Sequence, residues 1–183
     1  MSTRLLLIRH GQTEWNSGSI FQGHLDSGLT EKGIGQAEAI GQRLARMKIA
    51  ALYSSDLGRA RHTASLISKA IGHPVTEDAR LRERSLGVFE GLTREQAQSK
   101  YPGEYHHYTS GDPGYVVPQG ESARGRFEMG LSGFADLAAR HAGHNVIVVS
   151  HGGLIQGMFR HVTGLDFQAA RRFSLYNCPY NSF

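Results

Sequence analysis

Residues 5–11 read LLLIRHG, and residues 146–153 read VIVVSHGG. Each begins with a short continuous apolar run, the pattern of a strand buried on both faces of a parallel sheet. Each run then meets a polar residue, a histidine and glycine. In open α/β sheets, ligands collect beyond the carboxyl ends of the strands. If the two strands are parallel neighbours, His10 and His151 meet at that edge. The glycines let backbone approach a ligand closely. A helix opening at Gly152 would aim free N–H groups at an anion. One strand-end histidine is more often structural; the duplicated layout is what points to a site.

Outward from these two strands, helical spacing fills the chain. Ala37, Ile40, Leu44 and Met47 fall at steps of three and four after Thr30, a candidate N-cap. Ala60, Ala64, Ile67 and Ile71 repeat the pattern, as do Phe127, Leu131, Phe134 and Ala138. Thr93 and Gln96 have capping-box spacing. Residues 51–54 and 173–176 are weaker strand candidates. Strands alternating with helices predict an α/β fold: a three-layer α/β/α sandwich around a mostly parallel central sheet. Gly35 and Gly41 sit inside the first long helix, at a cost of ~1 kcal/mol each against alanine where exposed.

Residues 101–120 break the pattern. They hold three prolines, four glycines and four tyrosines. The stretch reads as a long irregular excursion, and such loops in compact domains often act as lids. His106 and His107 within it read as a solvated pair. The chain is expected to be a single domain over residues 1–183, lacking a C-terminal strand or tail after NCPYNSF.

Bulk properties narrow the function. A chain of 183 residues suits one domain with a real core. Hydrophobic content of 39% and charged content of 20% indicate a globular protein rather than a disordered one. The net charge of +4 favours anionic ligands, yet no dense Lys/Arg run points to nucleic acid. The single cysteine, Cys178, precludes an intramolecular disulfide and fits a reducing compartment. No apolar stretch approaches the roughly 20 residues of a membrane helix, and LLLI is too short for a secretory signal. The expectation is a cytoplasmic monomer or homodimer with no membrane partner.

Arginines complete the candidate site. Arg9 adjoins His10, and Arg59 follows a strand in LYSSDLGRARHTA, near a helix start. Guanidinium forks match phosphate oxygens with two parallel hydrogen bonds. Arg61, on the same helix start, reads as a solvated surface charge. Two histidines and two arginines suit a phosphoryl pocket better than a metal site, because the arginines repel a cation. Spacings such as H-E-x-x-H are absent. In phosphoryl transfer, a neutral imidazole attacks phosphorus and the leaving alkoxide needs a proton. Glu83, in LRERSLGVFEG, is the best donor candidate, although position alone favours a surface ion pair with Arg82 or Arg84.

Six segments carry a wider resemblance: RHGQTEWN, FQGHLDSGLTEKG, SSDLGRARHTA, LRERSLGVFEGLT, PQGES and VSHGGLI, in that order from residue 9 to residue 155. Together they resemble the histidine phosphatase superfamily, the phosphoglycerate mutase-like group (branch 1). The resemblance implies that His10 is the phosphorylated nucleophile. It implies that Arg9, Arg59 and His151 complete the phosphate pocket and that Glu83 is proton donor and acceptor. Asn16, Gln22 and Gly23 match positions near phosphate or substrate, and Gly152 joins the expected phosphate-binding set through the helix start there. No metal cofactor is implied, and a bisphosphoglycerate primer only for a mutase. Two positions depart from the pattern: Gly28 stands where proline is usual, and Gln156 where arginine often follows the second histidine.

Such a pocket can pass the phosphoryl group to water or to another hydroxyl. The short chain and the LGVFEG segment resemble the phosphatases, so a metal-independent phosphomonoesterase working through phosphohistidine on small phosphate esters, with a small phosphorylated metabolite as its partner, is expected. The alternatives are a cofactor-dependent phosphoglycerate mutase and a non-catalytic phospho-ligand binder. The roles of His10 and Glu83 predict a bell-shaped or acid-shifted pH profile.

Overall fold

In a computed structural model, residues 2–167, 169, 176–178 and 180–182 are described. The chain enters on β1 (Arg4–Arg9), makes a single helical turn α1 (Glu14–Ser17), and continues through α2 (Glu31–Leu44), β2 (Ala51–Ser54) and α3 (Gly58–Ile71). After β3 (Val75–Glu77) come two 3-10 turns, Ala79–Leu81 and Gly87–Phe89. Then follow α4 (Arg94–Lys100), α5 (Pro102–Thr109), α6 (Ala123–Arg140), β4 (Asn145–Ser150), α7 (Gly152–Thr163) and β5 (Tyr180–Ser182). The sheet order is β3-β2-β4-β1-β5. The first four strands in that order are parallel, and β5 runs antiparallel to β1.

The two opening segments are indeed parallel neighbours, with Leu5 opposite Val146 and Arg9 opposite Ser150. Their continuous apolar character follows from burial on both faces. Leu6, Ile8, Leu52, Ile147 and Val149 pack with Ala37, Ile40, Leu44, Ala60, Ala64 and Ile67 of α2 and α3. Leu5, Leu7, Val146 and Val148 pack with Phe127, Phe134, Leu137, Leu154 and Ile155 of α6 and α7. Period-two alternation along each strand thus feeds two cores and makes three layers. Each such side chain contributes about 1.5–3 kcal/mol on burial.

Local signals mark the helix ends. The Thr30 hydroxyl accepts from the Gly33 N–H at 3.0 Å and opens α2. α3 closes on Gly72 in the left-handed conformation. Thr93 and Gln96 form the capping box of α4. Met47 lies beyond the end of α2, past the cap at Ala45. The two helix glycines differ. Gly35 has open space where a Cβ would stand, whereas a Cβ on Gly41 would lie 3.0 Å from Ala70 Cβ. Gly41 therefore serves the close approach of α2 to α3, and the cost assigned to an exposed glycine does not describe it.

The excursion at 101–120 is not wholly irregular. Pro102 occupies the first turn of α5, where its missing N–H is no loss. Tyr101, Tyr105, Tyr108 and Tyr115 pack on a third cluster built on Phe21, Phe89, Ala97 and Val117. The irregular reading holds only after Thr109. Proline and glycine masked the helix because its stability comes from this aromatic packing rather than propensity. Strand β3 also had no clear sequence signal. Of the strand candidate at 173–176, residues 173–175 lie outside the described residues and Tyr176 is exposed. Among the described residues, no helix is long and apolar enough to cross a membrane.

Candidate active site

The register of β1 and β4 places His10 and His151 one residue past paired strand ends. The His10 N–H donates to the Ser150 carbonyl at 3.0 Å. The two rings face each other at 5.2 Å between centroids, tilted by 55°. Both are buried. The His10 Nδ1 lies 2.8 Å from the Gly11 carbonyl. A carbonyl only accepts, so Nδ1 carries the proton and the neutral ring keeps its lone pair on Nε2. His151 Nε2 lies 2.8 Å from the Ser55 hydroxyl, just after β2. Burial, then the Arg59 and Arg9 charges, holds the His10 pKa well below the usual histidine value. Burial and Arg59 do the same to His151. Both rings are therefore neutral at neutral pH.

A cavity of about 680 Å³ opens over His10. Arg9, Asn16, Gln22, Gly23, Arg59, Glu83 and Gly152 all line it, so the structure gathers these predicted residues around His10. Arg59 rises from the first turn of α3 and is buried. Its Nη1 donates to the Leu25 carbonyl at 2.9 Å and to Asp26 at 2.6 Å, and Nη2 donates to the Gly23 carbonyl at 2.8 Å. Its Nε is buried without a hydrogen-bond partner, as is His151 Nδ1. Gln22 Oε1 accepts from the Thr13 hydroxyl at 3.1 Å. Asn16 Oδ1 accepts from the Thr13 N–H at 3.2 Å.

Glu83 does not pair with its arginine neighbours. Arg82 forms a two-pronged contact with Asp56, at 2.7 and 2.5 Å. Instead Glu83 Oε1 accepts from the Arg84 N–H and Oε2 from the Gly153 N–H, each at 2.9 Å. A Cβ on Gly153 would lie 2.4 Å from Oε1, so glycine there is what lets the carboxylate approach α7. The surface-pair reading from position alone fails for this reason. Arg61, in contrast, is exposed and pairs with Glu77 at 2.9 Å, away from the cavity. His106 and His107 are exposed.

Several lining residues escaped the sequence reading. Arg84 stacks on Tyr108 at 5.3 Å, and Arg94 on Phe21 at 5.6 Å. Arg126 is buried and donates to the carbonyls of Arg82, Ala79 and Arg80. Arg160 is buried and donates to the carbonyls of Asp166 and Ala169. Arg84, beside Glu83, had a signal in LRERSLG; the other three had none, because helix positions do not show which face meets a cavity. Asn177 was missed too. Its amide donates to the His10 carbonyl at 2.8 Å and to Asn16 at 3.3 Å. The Cys178 N–H donates to the Arg9 carbonyl at 3.0 Å, and burial pushes the Cys178 thiol up to about 12.

Six arginines thus face two carboxylates, Glu83 and Asp112, around one cavity. Its field selects an anion. Among the described residues, no group of three histidine, cysteine or carboxylate side chains could hold a metal ion.

Known proteins share this arrangement of chain. A probable phosphoglycerate mutase of Klebsiella pneumoniae is 37% identical over 175 residues, covering 96% of this chain and 81% of that protein. A metal-independent phosphoserine phosphatase of Arabidopsis thaliana is 36% identical over 182 residues, covering 98% and 75%. The structure of a mycobacterial glucosyl-3-phosphoglycerate phosphatase in complex with VO3 superposes with a TM-score of 0.86 at 32% identity, covering 98% and 90%. A family profile, the histidine phosphatase superfamily (branch 1), matches residues 5–183. The chain belongs to the histidine phosphatase superfamily, whose members matched here carry both phosphatase and mutase names.

Proposed function

We propose that this protein is a metal-independent phosphomonoesterase that acts on small phosphate esters through a phosphohistidine on His10. The observation that carries the proposal is the His10 ring. Its Nδ1–H is fixed on the Gly11 carbonyl, which leaves the Nε2 lone pair for the cavity. A depressed pKa keeps that lone pair free at neutral pH.

The steps follow from the residues. Arg9 and the unpartnered Nε of Arg59 bind the phosphoryl oxygens, with His151 Nδ1 as a further buried polar atom for the equatorial oxygens. Nε2 of His10 attacks phosphorus, and the bond to the ester oxygen breaks. That oxygen takes a proton from Glu83, which is tethered by the Gly153 and Arg84 N–H groups. Water then attacks phosphorus and gives a proton to the Glu83 carboxylate, while the P–N bond breaks and its electron pair returns to Nε2. Inorganic phosphate leaves and His10 is restored. The arginines supply the charge compensation that a divalent cation supplies elsewhere.

The rim extends the reading to substrate class. The stacked guanidinium groups of Arg84 and Arg94 donate no hydrogen bond to any described residue, which suits an ester carrying a second anionic group such as a carboxylate. The relatives' names, phosphoserine phosphatase and glucosyl-3-phosphoglycerate phosphatase, fit that class. The mutase names support a second reading, in which the phosphoryl group returns to another hydroxyl.

The test is hydrolysis of an aryl phosphate in the presence of a chelator, beside His10→Ala, with protein quenched in alkaline denaturant, where the P–N bond survives, weighed for one added phosphoryl group. Turnover and a phosphoenzyme, both absent in the variant, are expected. Phosphate binding without turnover would leave a binding module. Loss of turnover on chelation would remove the metal-free mechanism. Conversion of 3- to 2-phosphoglycerate, primed with bisphosphoglycerate and faster than hydrolysis, would make the mutase reading correct.

A further inference from the structure

Glu90 touches neither the cavity nor His10 and His151, yet its half-buried carboxylate accepts four hydrogen bonds. Oε1 accepts from the Leu86 N–H at 2.8 Å, the His24 N–H at 3.0 Å and the Ser85 hydroxyl at 3.0 Å. Oε2 accepts from the Leu25 N–H at 3.2 Å. That matches the roughly four lone-pair sites of a carboxylate. Its donors come from two separate pieces of chain: the strap at residues 23–26, and the loop that follows Glu83.

The strap is in direct contact with both chemical groups. Its Gly23 and Leu25 carbonyls and its Asp26 carboxylate hold the Arg59 guanidinium. Asp26 also accepts from the Gly58 N–H at 2.6 Å and caps α3, whose own N-cap Leu57 offers no side chain. Toward the other group, the His24 Nε2–H donates to the Glu83 carbonyl at 2.9 Å. Gly23 has φ +53°, and a Cβ there would lie 2.0 Å from Glu90 Oε1. The strap is therefore built to lie against this carboxylate.

We propose that Glu90 is a positioning residue: its carboxylate clamps strap 23–26 to the Glu83 loop and so sets the Arg59 guanidinium over the phosphate site. The proposal rests on the phosphoryl chemistry proposed above. Its own readout, phosphate affinity, does not need turnover. Glu90→Gln keeps the size but turns one acceptor into an N–H₂ that opposes the donors it faces. Glu90→Ala removes the clamp. Asp78→Asn is the control, because Asp78 grips Arg80 just as firmly, at 2.6 and 3.0 Å, away from the cavity.

Inorganic phosphate binding by calorimetry, hydrolysis kinetics and thermal unfolding are measured on all four proteins. For Glu90→Gln, phosphate affinity is expected to fall about tenfold and kcat/KM about 10- to 100-fold, with Glu90→Ala worse, as for a misplaced binding group. Asp78→Asn is expected to lower the melting temperature while phosphate affinity stays put. Unchanged phosphate affinity in both Glu90 variants overturns the proposal, and so does an equal loss in Asp78→Asn. An unaltered protein that binds phosphate but hydrolyses nothing would remove the proposed function, and the affinity comparison would still decide the role of Glu90.

Discussion

The floor and the rim of the cavity are both cationic, but they are built differently. On the floor, His10 lines the cavity and the His151 ring packs against that of His10; both extend from neighbouring central strands, and their backbones are tied by the sheet ladder. Arg59 is buried and held by three acceptors. At the rim, Arg84 and Arg94 rest on the aromatic rings of Tyr108 and Phe21. Arg94 is exposed, and Tyr108 belongs to a helix packed on a small satellite core. Reacting atoms need fixed geometry, so they sit on strand ends and on short ties. Recognition of the rest of a substrate tolerates looser mounts. The comparison predicts that changes to the floor act on the chemical step, and changes to the rim act on substrate preference.

The largest effect falls on the floor. His10→Ala is expected to lower kcat by on the order of 10⁴-fold, while the protein stays folded by circular dichroism. Retained turnover in that variant would break the contrast at its centre. Glu83→Gln follows, with a loss of about 10²- to 10⁴-fold. The deficit should be greater for alkyl than for aryl phosphates, because the poorer leaving group needs the proton more. An equal deficit for both would take the proton from Glu83.

The rim gives smaller and selective effects. Arg84→Ala or Arg94→Ala is expected to raise KM about tenfold for a carboxylate-bearing ester, a lost charged hydrogen bond. KM for an aryl phosphate without a carboxylate should barely move. A rise for both substrates would place these arginines at the phosphate itself.

The mildest effect is on stability. His10 and His151 have pKa values lowered in the folded state, so below about pH 6.5 the unfolded chain binds more protons than the native one. Stability is full above that pH and is lost as pH falls, by about 1.4 kcal/mol per pH unit for each ring. His10→Ala removes one of the two rings and should flatten this acid slope between pH 6.5 and 5 in denaturant melts. An unchanged slope would mean that the floor is open to water.

Much of this was legible in the residues. The runs LLLI and VIVV carried their burial in their composition, since a strand covered on both faces has no polar side to show. The same runs placed both histidines at one sheet edge, as the Arg4–Asn145 register bears out. Arg61 as a surface charge was also legible. Glu83 was not, from position alone, because its partners are N–H groups of Arg84 and of Gly153, far along the chain. Helix α5 was hidden under proline and glycine, since tyrosine packing on Phe89 and Phe21 outweighs weak propensity.

By itself, then, the sequence determined the alternation of strands and helices, the two histidine arms and the family. These signals are local: periodicity, composition and motif depend on neighbours along the chain. Only the tertiary structure decided which arginines face the cavity, which are spent on carbonyls, and how Glu90 and strap 23–26 tie Arg59 to Glu83. Those relations depend on side chains tens of residues apart that approach within hydrogen-bond distance, and hydrogen bonds act through space rather than along sequence.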